Sequence, residues 1–139
     1  MKRKGAKVYV LDSFAVVAYL GRESAAPVVR DLLRQARRKD VELWLSLINY
    51  GETLYIIERE RGLQGVHQVI GIIDQLPITV AEIDRSMTFL AAHLKAKYPV
   101  SYADAFSAAL AKIKGGEVLT GDPEFESVES EVPIHWLPR

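Results

Sequence analysis

The chain contains no cysteine, which excludes disulfides, thiolate metal sites and cysteine nucleophiles. It also lacks an excess of either charge. Lys plus Arg and Asp plus Glu both total 18, so the formal net charge is zero and no whole-chain attraction to phosphate exists. Any engagement with nucleic acid must rest on local charge separation. No apolar run reaches the roughly 20 residues that a membrane-spanning helix needs. The run from Val8 to Leu20 follows a basic start, as a signal peptide would, but Asp12 and Ser13 interrupt it and no small-residue cleavage site follows. The expectation is a strand followed by a short helix, in a cytoplasmic protein without a membrane segment. Repeats, linkers and low-complexity stretches are also missing. His67, His93 and His135 lie apart without ligand spacing, which assigns them to structure or surface.

What is present is an ordinary globular composition, 49% hydrophobic and 26% charged over 139 residues. That length fits one domain over 1–139, with residues 1–7 as a basic extension. Val8 to Leu11, Glu42 to Ser46, Ile78 to Val80, Val118-Leu119 and Ile134 to Trp136 read as short strands. Helices are expected over Ser13 to Leu20, Glu23 or Ser24 to about Lys39, Leu47 to about Arg61 with a stop at Gly62, Gln64 to Gln75, Asp84 to Lys97, and Ser101 to Lys114. Strands alternating with helices predict an α/β fold of three layers: a mostly parallel sheet of four to five strands with helices on both faces. Tyr19, Tyr50, Tyr55, Trp44 and Trp136 read as core or interface.

Four carboxylates stand at telling places. Asp12 ends the first strand, Asp122 follows the Val118-Leu119 strand, and Glu52 and Asp104 fall in the first turns of helices. Taken singly, Asp12 and Asp122 fit helix N-caps, and Asp104, three residues after Ser101, fits a capping box, as Glu52 does after Asn49. Glu52 fits that account least. Its helical neighbours Ile48, Tyr55 and Ile56 are apolar, and a carboxylate there needs a compensating partner that no nearby Lys or Arg supplies. In an open parallel sheet, residues just past the carboxyl ends of the strands converge at the switch point. Clustered carboxylates repel unless something positive lies among them, and an all-oxygen donor set suits Mg²⁺ or Mn²⁺. Ser13, Asn49 and Thr120 flank the acids and read equally as supporting hydroxyl or amide groups and as local capping residues.

The segments Val10-Leu-Asp12-Ser, Asn49-Tyr-Gly-Glu52, Tyr102-Ala-Asp104-Ala and Leu119-Thr-Gly-Asp122-Pro-Glu-Phe125 together resemble the PIN domain, and within it the VapC-type toxins. The resemblance spans essentially the whole chain, and Thr-Gly-Asp-Pro-Glu-Phe is its most specific part. It departs from the family in its basic extension and in Asn49, where relatives commonly carry a small hydroxyl residue. The resemblance implies an endoribonuclease in which Asp12, Glu52, Asp104 and Asp122 hold one or two Mg²⁺ or Mn²⁺ ions, leaving 5′-phosphate and 3′-hydroxyl ends. It implies a homodimer, an RNA substrate and a small cognate antitoxin as inhibitor, docking on apolar surface around Tyr19, Leu20 and Tyr55. The basic groups Lys2, Arg3, Lys4 and Lys7, and Arg34, Arg37, Arg38 and Lys39, would recruit the RNA backbone if they rim the acidic pocket.

Three other readings stay open at this stage. A phospho-acceptor receiver module would need an acidic pair at the first strand and a lysine after the last, and the chain offers a lone Asp12 and Trp136-Leu-Pro-Arg139. A PIN nuclease in RNA processing fits the same acids. A non-catalytic PIN-like scaffold would be expected to have lost one or more of them.

Overall fold

In a computed structural model, residues 5–139 are described. Lys2, Arg3 and Lys4 of the basic extension therefore lie outside the described residues. Five strands, β1 (Lys7–Leu11), β2 (Val41–Ser46), β3 (Thr79–Ala81), β4 (Glu117–Thr120) and β5 (Ile134–Trp136), pair in the order β3-β2-β1-β4-β5, and every pairing is parallel. Helices α1 (Ser13–Leu20), α2 (Ala26–Arg37), α3 (Leu47–Ile73), α4 (Arg85–Lys97) and α5 (Tyr102–Lys114) connect them. The expected α/β architecture, with helices on both faces of a parallel sheet, is thus the observed one.

The sheet is covered twice because its strands are apolar on both sides, as buried parallel strands are. Alternation along β1 sends Tyr9 and Leu11 into the core under α1, α2 and α3, and Val10 into the core under α4 and α5. Leu119 and Val118 of β4 divide in the same way. Each fully buried Val or Leu contributes about 1.5–3 kcal/mol of burial free energy. Helix α5 approaches closely because Ala105, Ala108, Ala109 and Ala111, all buried, keep its inner surface thin.

Helix boundaries follow local chemistry. Asp12, Ser46, Asp84 and Ser101 cap α1, α3, α4 and α5 through side-chain oxygens. Gly62, at φ 72° and ψ −176°, breaks α3 where the stop signal was read, so residues 47–61 and 63–73 are two helical stretches end to end. Gly115 closes α5 in the left-handed conformation at φ 66°. Gly116 follows, and a Cβ there would lie 2.5 Å from the Val8 carbonyl oxygen. The strand order reverses direction at β1, so the crevice between the carboxyl ends of β1 and β4 is the switch point.

One expectation fails on topology. Lys7 begins β1, and Arg34, Arg37, Arg38 and Lys39 lie at and just past the end of α2, before β2, so these residues sit at the strand-start edge. The acidic residues follow the strand ends, a five-residue strand away, or roughly 15 Å at about 3.3 Å per residue. Lys7, Arg34, Arg37, Arg38 and Lys39 do not rim the acidic crevice. Charge patterning in sequence carries no information about which end of a sheet a loop reaches.

Candidate metal centre at the carboxyl ends of the strands

Asp12 leaves β1 directly opposite the end of β4. Leu11 pairs with Leu119, which sets Asp12 beside Thr120. The Asp12 carboxylate is buried, 1% exposed, and both oxygens are engaged. Its Oδ1 accepts the Ala15 N–H at 2.9 Å, and its Oδ2 accepts the Thr120 hydroxyl at 2.5 Å. The cap and the cluster are therefore roles of one side chain, not alternatives. Thr120 Oγ1 in turn accepts the Asp122 N–H at 2.9 Å, tying the two strand-end acids together.

Asp122 caps the 3₁₀ turn Pro123–Val128, accepting the Glu124 N–H at 2.9 Å. The glycine between Thr120 and Asp122 is required by close approach, since a Cβ at Gly121 would come within 2.4 Å of the Phe14 ring. Beside Asp122 a groove of about 260 Å³ is lined by Ser13, Phe14, Val17, Glu23 and Ile56.

Asp104 enters from α5, one turn past its Ser101 cap, whose hydroxyl accepts the Asp104 N–H at 3.1 Å. Glu52 enters from α3. Ser46, not Asn49, caps α3, so a capping-box role for Glu52 does not apply. The apolar neighbours expected to bury Glu52 are themselves open, with Ile48 39% and Tyr55 48% exposed. Glu52 is half-buried nonetheless, and its Oε1 is shielded from solvent without any hydrogen-bond partner.

Asn49 explains how the two helices are held in register. Fully buried, it accepts the Ser46 hydroxyl on its side-chain oxygen and donates from Nδ2 to the Ala103 carbonyl at 3.1 Å. That bond spans 54 residues and fixes α3 against the first turn of α5, hence Glu52 against Asp104.

The four acids lie close enough for their charges to act on one another. Burial pushes the Asp12 carboxyl up from 3.8 to about 7, aided by the charges of Asp122 and Glu52 and opposed by the bonds from Thr120 and Ala15. Asp104 rises to about 8, again chiefly through burial, with the Asp12 and Asp122 charges next and Glu52 contributing. Among the described residues, no Lys, Arg or His forms an ion pair with any of the four acids. Arg59, the nearest candidate along α3, instead lies over the Tyr55 ring at 4.8 Å.

All four sequence-predicted acids thus meet in one crevice, with Thr120 and Asn49 bonded as supports and Ser13 on the adjoining groove. Glu124 was missed. One carboxylate oxygen each of Asp104, Asp122 and Glu124 lies within 4.8 Å of the others. Its signal was available in Asp122-Pro-Glu124, where a tight turn brings the carboxylate two residues on back toward the cap. The aromatic expectations divide: Tyr50 is buried, Tyr19 and Trp44 are half-buried, and Trp136 and Tyr55 are open. His67 and His93 are on the surface, and His135 packs edge-on against Tyr9.

Fold and site together define a parallel α/β domain with an acidic, all-oxygen centre at its switch point. The model of the PIN domain family matches residues 9–131, and the chain belongs to that family. No curated protein matches it by sequence. Among solved structures it is similar to VapBC2 of Rickettsia felis bound to a DNA fragment from their promoter, at TM-score 0.75 and 14% identity, covering 94% of this chain and 99% of that one. A toxin–antitoxin complex from Klebsiella pneumoniae gives TM-score 0.64 and 14% identity over 86% and 92% of the two chains. The sarcin–ricin loop cleaving toxin VapC20 of Mycobacterium tuberculosis gives 0.66 and 18%, over 86% and 94%. At these identities the likeness is one of fold.

Proposed function

We propose that the chain is a divalent-metal-dependent endoribonuclease and the toxin of a toxin–antitoxin pair, with Asp12, Glu52, Asp104 and Asp122 as its metal-holding acids. The observation that carries this reading is the cluster itself. Four carboxylates share one crevice, two of them with strongly raised pKa and a third with a shielded, unpartnered oxygen. Without a cation, such a site is held together only by protonating its members at neutral pH. The donors are oxygens alone, the chemistry that Mg²⁺ and Mn²⁺ select.

When bound, such an ion supplies positive charge to the phosphoryl group and acidifies water. The chain's own residues prepare that chemistry. Thr120 holds Asp12 Oδ2 in place and spends its lone pair on the Asp122 N–H, so both strand-end carboxylates are fixed before substrate arrives. Asn49 sets the distance between Glu52 and Asp104. To hold a cation, Asp12 and Asp104 would have to be deprotonated, which would make its binding pH-dependent. The groove along Ser13, Phe14, Val17, Glu23, Ile56 and Asp122 opens to solvent beside the acids and would give the substrate access to them. No protein nucleophile is needed.

The toxin assignment draws on the likeness to the Klebsiella toxin–antitoxin complex and the Mycobacterium toxin. A small antitoxin would dock on the apolar surface by the cleft that Tyr19 and Leu20 line with Arg22, Arg30 and Ile72, and by exposed Tyr55. A homodimer in the cytoplasm belongs to the same reading. Among the described residues, no helix is long and apolar enough to cross a membrane.

The test is cleavage of total RNA by the purified chain with Mg²⁺ or Mn²⁺, with product ends mapped. Cleavage leaving 5′-phosphate ends, lost in Asp104→Asn and in excess chelator, is expected. Undiminished cleavage in Asp104→Asn or in chelator would overturn the assignment.

A further inference from the structure

Within the nuclease reading just given, an RNA strand needs a foothold outside the acids, because carboxylates repel its phosphates. Lys7 and the basic residues at the end of α2 stand at the opposite edge of the sheet. Helix α3 offers a nearer hold. Ile48, Glu52, Tyr55, Ile56 and Arg59 recur at intervals of three and four and so share one face of it. Thr53 and Ile57 of the opposite face are buried, which turns this one outward. Tyr55 and Arg59 lie about 4.5 and 10.5 Å past Glu52 along the axis, at ~1.5 Å per residue. Ile56 also lines the groove beside Asp122, so the face runs on from the acidic crevice.

Arg59 departs from what its surroundings predict. Glu58 and Glu60 flank it in sequence and Glu52 shares its face, yet among the described residues neither Arg59 nor Glu58 forms an ion pair. The guanidinium lies over the Tyr55 ring at 4.8 Å, and Tyr55 is 48% exposed. Tyr55, Glu58 and Arg59 together line a recess of about 200 Å³. We infer that this recess is a nucleotide subsite for the unpaired RNA strand, with Tyr55 stacking a base, Arg59 binding its phosphate and Glu58 reading its edge. Unpaired bases are held in this way, stacked on aromatic or guanidinium planes and hydrogen-bonded along their edges. An arginine can keep its flat face on a ring while its fork of N–H groups meets a phosphate. A carboxylate accepts from an exocyclic amine and is repelled by the two carbonyl oxygens of uracil, so cytosine, adenine or guanine is favoured. An antitoxin seated on Tyr55 would close this subsite.

The experiment compares the wild type with Tyr55→Ala, Tyr55→Phe, Arg59→Gln and Glu58→Gln. Cut sites are mapped in total RNA with Mn²⁺, and kcat and KM are measured on a single-stranded oligonucleotide spanning one mapped site. Tyr55→Ala should raise KM about tenfold with kcat within about threefold, and Tyr55→Phe should restore it, since the ring does the stacking. Arg59→Gln should raise KM about threefold or more and flatten its dependence on salt. Wild-type sites should avoid uracil at one fixed position, and Glu58→Gln should admit it there. Thermal unfolding should be unchanged by these exposed substitutions, which separates substrate contact from a structural role. Wild-type KM in both Tyr55→Ala and Arg59→Gln would overturn the inference and leave the nuclease reading standing. Cut sites unchanged in Glu58→Gln would overturn its reading of the base edge. A wild type that binds labelled single-stranded RNA without cleaving it, and binds more weakly as Tyr55→Ala, would sink the nuclease reading and keep the subsite. Neither cleavage nor binding by the wild type would overturn both.

Discussion

Replacing Asp12 by Asn should stabilise the metal-free protein at alkaline pH while destroying its site. The carboxyl titrates near 7 when folded and 3.8 when unfolded, with burial as the main cause. Since the folded-state value is the higher, the unfolded chain gives up this proton first. Stability is then full below about pH 4, falls as pH rises to about 7, and stays low beyond. The gap corresponds to about 4 kcal/mol at ~1.4 kcal/mol per pH unit. Asn escapes that cost, retains the Ala15 N–H through its carbonyl, and presents an amide N–H₂ where Thr120 now donates, forfeiting about 1 kcal/mol. Asp12→Asn in excess chelator should therefore gain about 3 kcal/mol near pH 8 and less than about 1 kcal/mol near pH 5. Urea unfolding at the two pH values reads this directly. Adding Mn²⁺ should stabilise the wild type and narrow the difference. A variant whose stability relative to wild type is the same at both pH values would refute the reasoning, because a cap-only Asp→Asn exchange is nearly neutral and insensitive to pH over this range.

Three further outcomes follow from individual contacts. Asn49→Ala orphans the buried Ala103 carbonyl and unties α3 from α5; a loss of about 1–3 kcal/mol in chemical unfolding and a cleavage rate reduced more than tenfold are expected. Thr120→Val keeps the shape but removes the bond that lowers the Asp12 pKa, so the ascending limb of the pH–rate profile should move to higher pH, and an unmoved limb would remove Thr120 from the site's electrostatics. Gly121→Ala forces a methyl into the Phe14 ring 2.4 Å away and should cost about 1–3 kcal/mol in thermal unfolding, with activity falling as Asp122 is displaced.

Much of the architecture was legible because its signals are local. Val8-Tyr-Val-Leu11 between a turn and an acid reads as a strand, and the Ser101 cap with Gly115-Gly116 brackets α5. The acids were legible for a topological reason, since parallel strands deliver their trailing residues to one edge whatever lies between. What escaped depends on contacts across sequence. Nothing near Asn49 announces that its amide reaches Ala103, and nothing near Glu52 announces that its carboxylate is shielded while Ile48 and Tyr55 stay open. The 3₁₀ turn at Pro123 is too short for periodicity to show, and Glu124 was overlooked with it. Glu131 is a further case, drawn well down to about 2 by Lys112 and Tyr98, with Lys97 beside it. It joins α4, α5 and the segment before β5 through partners that lie 19 to 34 positions away.

The central claim is that buried, proton-holding carboxylates become a cation site. Calorimetric Mn²⁺ titration at pH 7 in two buffers of different ionisation enthalpy tests it most directly. Binding should release about one to two protons per chain, from Asp12 and Asp104, and the release should shrink by about half a proton in Asp12→Asn. Binding without proton release, or no binding at millimolar Mn²⁺, would contradict the account.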